Sequence, residues 1–323
     1  SLAPALAAGC SIVIKPAFQT SMAHNLALQC LVCDERIPAG IVNSVIESGI
    51  AVSKHLCESL LVDVISFTGS SHVGKLIAES TSPSLKRLSL ELGGKAPALV
   101  FPNCDLDSTV AGIVAGGTVL AGQQCTAITR ILVHDAIYDA FQSRLAAALK
   151  QVKVGPGNDP ASQMGCLIDV ANRDRIASLL EKAEKEARII VKGRIPKGEL
   201  AQGAFIEPSL IEVDDLHSPF IQDELFGPLL VLERFHTEDE AIHRANATRY
   251  SLASSVWTQD LFLARRVASK LNFGSVWCNT HNRLFAEAET GGYGDSGYGK
   301  LHGVEGMYDF MRTKHFYFET KTP

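Results

Sequence analysis

Val62-Asp63-Val64-Ile65-Ser66-Phe67-Thr68-Gly69-Ser70-Ser71 is the stretch that decides the architecture. A short β-branched and apolar run ending at Phe67 reads as a strand, Thr68-Gly69-Ser70 as a turn, and Ser71 as the N-cap of the helix that follows. Further short runs at Leu88–Leu92 and Ala98–Phe101 read as the next strands downstream. Upstream the same pattern repeats: strands at Ser11–Ile14 and Ile41–Val45, a helix over His24–Asp34 ended by Pro38-Ala39-Gly40, and a helix over Ala51–Leu61. Short apolar strands alternating with amphipathic helices indicate a parallel sheet, Rossmann-like in type.

A second set of units follows Gly122. Helix Asp105–Ala121 leads to strand Arg130–Val133, helix Tyr138–Val152 and the Gly155-Pro156-Gly157-Asn158-Asp159-Pro160 loop. Ile176, Leu179, Leu180, Ala183 and Ala187 mark one apolar helix face before strand Ile189–Val191. Strand Leu229–Leu232 and helices Asp239–Asn246 and Leu261–Leu271 complete what reads as a second α/β domain. A Gly-rich tail from Gly291 to Gly303 runs to Lys314-His315-Phe316-Tyr317-Phe318, which reads as an edge strand.

Among 323 residues, 30 basic against 35 acidic side chains with no basic run argue against nucleic acid and anionic membrane as partners, and favour a small molecule. No apolar run reaches the roughly 18 residues that span a bilayer. The eight cysteines are scattered through the chain, which favours free thiols in a reducing compartment, the cytoplasm. Leu2–Cys10 ends in Ala8-Gly9-Cys10 but has no initiator Met and no basic flank, and it runs on into Ile12-Val13-Ile14, a buried strand by pattern. The start therefore reads as a cut within a longer chain rather than a leader.

Three segments have the residue types that chemistry needs. Gly122-Gln123-Gln124-Cys125 places a thiol at a helix-to-strand junction. A free thiol near pKa 8.5 is mostly protonated at neutral pH, so a nucleophile there needs main-chain N–H groups or a positive charge; the alternative is a small buried hydrophobe. Glu91, inside Leu88-Ser89-Leu90-Glu91-Leu92-Gly93-Gly94-Lys95, is either a buried carboxylate with a general-base function or a side chain on a solvated strand face. Gln222-Asp223-Glu224-Leu225-Phe226-Gly227-Pro228 is acidic ahead of a Gly-Pro turn, and read alone it is an exposed turn. Cys30 and Cys33 have redox spacing but lie within a helix, and the ten histidines show no ligand spacing, so no metal site is expected. Of the histidines, His281 follows Trp277–Thr280, and the default for one loop histidine is a solvated side chain.

Taken in order and spacing, Glu-Leu-Gly-Gly-Lys at 91–95, Gly-Gln-x-Cys at 122–125 and Glu-Leu-Phe-Gly-Pro at 224–228 resemble the signatures of the aldehyde dehydrogenase superfamily. Ile14-Lys15-Pro16, Ile65–Ser70 with Val73-Gly74, Phe205–Pro208, Val276-Trp277 with Asn279, and Ser296–Gly299 extend the resemblance over essentially the whole chain. It implies a Rossmann-like cofactor domain, incomplete at its N-terminus, in residues 1–91, and a catalytic domain in 92–290. Residues 291–323 would return to the cofactor domain and form an oligomerisation arm.

The activity implied is oxidation of a small-molecule aldehyde to a carboxylate with NAD or NADP. Cys125 forms a thiohemiacetal and then a thioester, and Glu91 activates the water that releases the acid. Lys15 would bind the adenine ribose, Ser70 would meet the pyrophosphate near a helix N-terminus with Thr68 and Gly69 also binding the cofactor, Glu224 would hold the nicotinamide ribose and Phe226 would position the nicotinamide. The Cys125 main-chain N–H would be one oxyanion donor. Relatives are homodimers or homotetramers.

Departures from the family pattern are equally informative. A Trp-Asn-Phe-Pro segment that supplies the second oxyanion donor is absent, and losing one such donor costs about 10²- to 10³-fold, so this stretch alone is expected to be nearly inactive. Phe18 stands where NAD-preferring relatives have a Glu that grips ribose hydroxyls. Glu47 and Ser53 replace two glycines of the cofactor turn, leaving Gly49, and Glu289-Thr290-Gly291-Gly292 replaces Pro-Phe-Gly-Gly. A Glu47 carboxylate near the cofactor would repel a 2′-phosphate or accept ribose hydroxyls. Two other readings stand beside the leading one: a catalytically silent binding or structural member of the fold, and acyl transfer to coenzyme A, which Glu91 argues against.

Overall fold

The strand-helix alternation is present in the computed structural model, which describes residues 1–320. Its strands are β1 (Ile12–Ile14), β2 (Val42–Ser44), β3 (Val64–Thr68), β4 (Arg87–Glu91), β5 (Ala96–Val100) and β6 (Ile128–His134). They continue with β7 (Arg188–Val191), β8 (Ser209–Glu212), β9 (Leu229–Phe235), β10 (Ala253–Trp257), β11 (Ser275–Cys278) and β12 (Gly297–Tyr298). A seven-stranded sheet runs β11-β10-β5-β6-β9-β8-β7 and is parallel except for the β7–β8 pair at one edge.

Side chains alternate faces along a strand, so a sheet covered on both sides needs apolar residues at every position. Ala98 and Val100 of β5, Ile131 and Val133 of β6 and Leu230 and Leu232 of β9 join one core with Val110, Ile113, Tyr138, Phe141 and Leu145 from helices Leu106–Thr118 and Tyr138–Lys150. Leu99, Phe101 and Leu132 fall in a different cluster, with Ala241, Ala245, Ala264 and Val267 of helices Glu238–Ala245 and Leu261–Ala268. Each large aliphatic side chain buried this way contributes about 1.5–3 kcal/mol.

One charged cluster crosses this apolar sheet. Arg130 on β6 is fully buried and donates through Nε at 2.7 Å and Nη2 at 2.9 Å to the two carboxylate oxygens of Glu233 on β9, and through Nη2 to the Arg244 carbonyl at 2.8 Å.

The remaining strands form smaller sheets. β3 and β4 pair in parallel, and β12 returns antiparallel to β4 with Gly297 opposite Glu91. β1 and β2 make a separate parallel pair.

The structure corrects several expectations. The N-cap of helix Ser71–Thr81 is Ser70, whose Oγ accepts the Val73 N–H at 3.3 Å; Ser71 Oγ instead donates to the Asp295 carbonyl. Leu2–Ala7 is a helix that turns at Gly9 before β1, and β1 is not buried: with β2 as its one partner strand among the described residues it leaves Val13 48% exposed. Lys314–Phe318 forms no strand, because no described strand pairs with it, and its aromatic side chains are exposed. β10 escapes a reading by hydropathy because Ser254 and Ser255 interrupt it, although every one of its residues is buried.

Candidate active site

The thiol of Cys125 is set by a left-handed kink. After helix Leu106–Thr118, a 3-10 turn over Val119–Gly122 carries Leu120, Ala121 and Gly122 at φ of 48°, 56° and 72°. Only glycine fits at 122, where a Cβ would stand 2.4 Å from the Gly227 carbonyl oxygen. Gly94 and Gly93 make two equally close approaches: a Cβ would lie 2.2 Å from the Cys125 carbonyl oxygen at the first and 2.4 Å from Glu224 Oε2 at the second. Residues 91–95, 122–125 and 224–228 therefore converge on one another.

Glu91 ends β4, between Thr68 of β3 and Gly297 of β12, and its carbonyl accepts the Gly69 N–H at 3.1 Å. The solvated-face alternative fails, since the side chain is buried and Oε1 has no hydrogen-bond donor. Burial raises its pKa to about 7; the nearby Lys300 ammonium opposes the rise and Asp309 adds to it. A carboxyl group in this state takes up or releases a proton near neutrality.

Cys125 is half-buried, and its thiol pKa is pushed up, first by burial and then by the Glu224 and Glu91 carboxylates. The main-chain N–H groups of Thr126 and Cys125 pull the other way. Of the two activating devices, the described residues provide only the N–H groups. The resting thiol is protonated and needs a base.

Glu224 is the third acidic group. Its Oε1 accepts the Gly94 N–H at 2.9 Å, and burial raises its pKa against the opposing effects of that N–H, Lys95 and Arg175. The exposed-turn reading of this segment therefore does not hold for Glu224, whereas Phe226 is 39% exposed with φ of 50°. Among the residues expected at a cofactor, Thr68, Gly69 and Ser70 adjoin Glu91 through the β3–β4 register. Lys15 stands apart at the end of β1. Its Nζ donates to the Pro16 carbonyl at 3.3 Å, and its charge stabilises the Glu47 carboxylate.

The sequence profile of the aldehyde dehydrogenase family matches residues 1–316. The chain belongs to the aldehyde dehydrogenase family. It is 38% identical over 322 residues to a betaine aldehyde dehydrogenase of Bacillus subtilis, covering 99% of this chain and 66% of that protein. It is 36% identical to aldehyde dehydrogenase 1 of Tanacetum cinerariifolium, covering 97% of this chain and 62% of the relative. A betaine aldehyde dehydrogenase from Staphylococcus aureus, solved in complex with NAD+, superposes with a TM-score of 0.94 at 37% identity, covering 98% of this chain and 65% of that one. The chain thus spans just under two thirds of the length of the relatives it matches.

Two residues of this aldehyde dehydrogenase fold went unassigned in the sequence reading. Lys95 is fully buried, its Nζ has no hydrogen-bond partner among the described residues, and burial lowers its pKa to about 7, with Arg130 adding to the effect. Arg175 donates through Nη2 to the Leu225 carbonyl at 2.7 Å, tying helix Val170–Glu186 to the segment that carries Glu224. No spacing rule finds Arg175, because the helix register that aims it at Leu225 depends on tertiary packing.

Proposed function

We propose that the protein oxidises a small aldehyde to a carboxylate through a covalent Cys125 adduct, with NAD or NADP as cofactor. The observation that supports this best is the meeting of Cys125, Glu91 and Glu224 through the close approaches of Gly93, Gly94 and Gly122, with Glu91 buried, unpaired and poised near neutral pH.

Glu91 accepts the Cys125 proton, and the thiolate sulfur adds to the aldehyde carbon, giving a thiohemiacetal whose oxyanion faces the Cys125 main-chain N–H. NAD(P) supplies the hydride acceptor when bound. Loss of hydride leaves a thioester on Cys125. Glu91 gives up that first proton to solvent and then takes one from water, the hydroxide adds to the thioester carbon, and the carbon–sulfur bond breaks as Glu91 returns the proton to the departing sulfur, releasing the carboxylic acid and the thiol.

The residues present fit such a cofactor. Among the described residues, Glu224 Oε2 accepts no protein donor, and Lys15 Nζ donates only to a main-chain carbonyl, which leaves an acceptor and a donor for ribose hydroxyls. Ser70 opens a helix beside Glu91, where Thr68 and Gly69 would also meet the pyrophosphate, and Phe226 presents an exposed aromatic surface to the nicotinamide.

In this reading residues 1–91 and 291–323 belong to the cofactor domain and 92–290 to the catalytic domain, a division supported by the return of β12 to β4. The working protein is a homodimer or homotetramer in the cytoplasm, where eight unbonded cysteines are stable. Water rather than coenzyme A is the acyl acceptor, since Glu91 stands ready to activate it.

The experiment is to measure aldehyde-dependent NAD(P)H formation by the protein as its gene encodes it, alongside Cys125→Ala. Loss of all turnover in the variant supports the reading; no turnover in the parent, or an unchanged rate in the variant, overturns it. Product release unaffected by coenzyme A separates hydrolysis from acyl transfer.

A further inference from the structure

We propose that His281 and Asn282 are positioning residues for the Cys125 thiol, acting through Thr126. The inference rests on Cys125 being the reactive thiol of the proposed function.

Thr126 is held on two sides. Its carbonyl lies 2.6 Å from His281 Nε2, and its hydroxyl donates to Asn282 Oδ1 at 2.7 Å while accepting from Gln124 Nε2 at 3.0 Å. A carbonyl oxygen only accepts, so Nε2 carries the proton and Nδ1, which has no partner, is bare. Burial holds the His281 pKa down to about 4, so the ring is a neutral donor over the whole range in which a thiol titrates. The solvated histidine expected from a loop position is instead a fixed strut.

The loop that carries it is rigidly anchored. Asn279 and Asn282 adopt left-handed backbone at φ of 53° and 57°. Asn279 Oδ1 accepts the Thr258 N–H at 2.9 Å and its Nδ2 donates to the Thr258 carbonyl at 2.8 Å, locking the loop to the end of β10. Trp277 meets the His281 ring edge-on at 4.8 Å, donates through Nε1 to the Arg283 carbonyl at 2.9 Å, and packs in the small apolar cluster that includes Cys125.

The consequence reaches the sulfur through the Thr126 α-carbon, which joins the peptide whose carbonyl His281 holds to the peptide whose N–H faces Cys125. The Thr126 N–H is one of two main-chain donors that favour the thiolate, while the charged groups facing the sulfur, Glu224 and Glu91, both oppose it. Holding the carbonyl and the side chain of residue 126 restrains its backbone dihedrals, and with them the direction of that N–H. Released from His281, residue 126 is free to turn about its own backbone dihedrals and carry its N–H away from the sulfur, and among the described residues no cation replaces that donor.

The test is the rate of Cys125 alkylation by iodoacetamide as a function of pH, with the labelled cysteine assigned by peptide mapping, in the parent, His281→Phe, His281→Gln and Asn282→Leu. His281→Phe keeps the ring and removes the donor. It is expected to slow alkylation at pH 8 roughly ten-fold and to move the thiol profile up by about one pH unit, the size expected for a lost hydrogen bond to a charged group. His281→Gln, whose amide N–H reaches a similar distance, is expected to restore the parent rate to within about three-fold. Asn282→Leu is expected to slow alkylation in the same direction, and it is the deciding variant if His281→Phe does not fold. Alkylation in His281→Phe, or in Asn282→Leu if that is the folded one, at the parent rate and profile overturns the proposal, as does a His281→Gln protein as slow as His281→Phe. The Cys125→Ala turnover assay separately judges the reading on which it rests.

Discussion

Gly94 lies against the main-chain carbonyl of Cys125, so closely that a single methyl group on its Cα would stand 2.2 Å from that oxygen. Neither partner is a side chain that turns away, so Gly94→Ala displaces the segment carrying the thiol. The expected result is a loss of about 1–3 kcal/mol in stability and a fall in turnover of about 10²-fold, since small misplacements of a nucleophile are amplified in rate. Thermal melts and aldehyde-dependent NAD(P)H formation measure the two.

Glu91 carries an opposed pair of effects. Its folded-state pKa, about 7, lies above the ordinary value of 4.5, so between those two pH values the folded chain binds more protons than the unfolded one and stability falls as pH rises. Above pH 7 the buried anion costs its full amount, on the order of 1–3 kcal/mol. Glu91→Gln is expected to melt higher than the parent at pH 8.5 and alongside it at pH 4, while losing acid release. In the parent, the rate of acid release is expected to rise through pH 7 and then level. Melts at the two pH values and a pH-rate profile check both limbs.

The Glu47 carboxylate accepts the Val52 N–H at 3.0 Å and the Ser53 N–H at 3.2 Å, and these donors hold its pKa below the usual range against the effect of burial, so it is anionic at neutral pH beside Lys15. With the adenine ribose seated at Lys15, as proposed, a fixed anion there would repel a 2′-phosphate. Glu47→Gln is expected to improve NADP binding relative to NAD by roughly ten-fold, about 1.4 kcal/mol. Dissociation constants for the two cofactors, read from tryptophan fluorescence, would decide it; an unchanged ratio removes Glu47 from cofactor selection.

Arg130 and Glu233 are a stability test independent of catalysis. Arg130→Met leaves Glu233 fully buried without its two-pronged partner, although Arg244 Nε at 3.5 Å from Oε2 offsets part of the loss. A destabilisation of about 3–5 kcal/mol is expected, and the double change Arg130→Met with Glu233→Leu should recover most of it. Urea melts of the single and double variants measure the difference.

The alternation of strands and helices was legible because the central runs Ala98–Val100 of β5, Ile131–Val133 of β6 and Leu229–Leu232 of β9 are unbroken apolar stretches, as a doubly covered parallel sheet requires. β10 was not, since two buried serines hide a strand from any hydropathy reading. Ser70 rather than Ser71 caps its helix because backbone dihedrals, and not residue type, select between neighbouring serines. Cys125, Glu91 and Glu224 stood out by motif, but their electrostatics did not: that burial and two carboxylates push the thiol pKa up while two main-chain N–H groups oppose them follows from packing across residues 91, 125 and 224. The same holds for His281, whose loop position suggested solvent and whose partner, Thr126, is 155 positions away in the chain.

The left-handed run at Leu120-Ala121-Gly122 has a consequence for chain length. Helix Leu106–Thr118 fixes one end and the Gly94 approach fixes the other, so the intervening residues act as a spacer of set count. Inserting or deleting one residue between Thr118 and Cys125 would turn the thiol out of register with Glu91 however conservative the residue, whereas the exposed loop at 156–161 has room for extra length. Insertional scanning of the gene would therefore find residues 119–125 intolerant of any change in length.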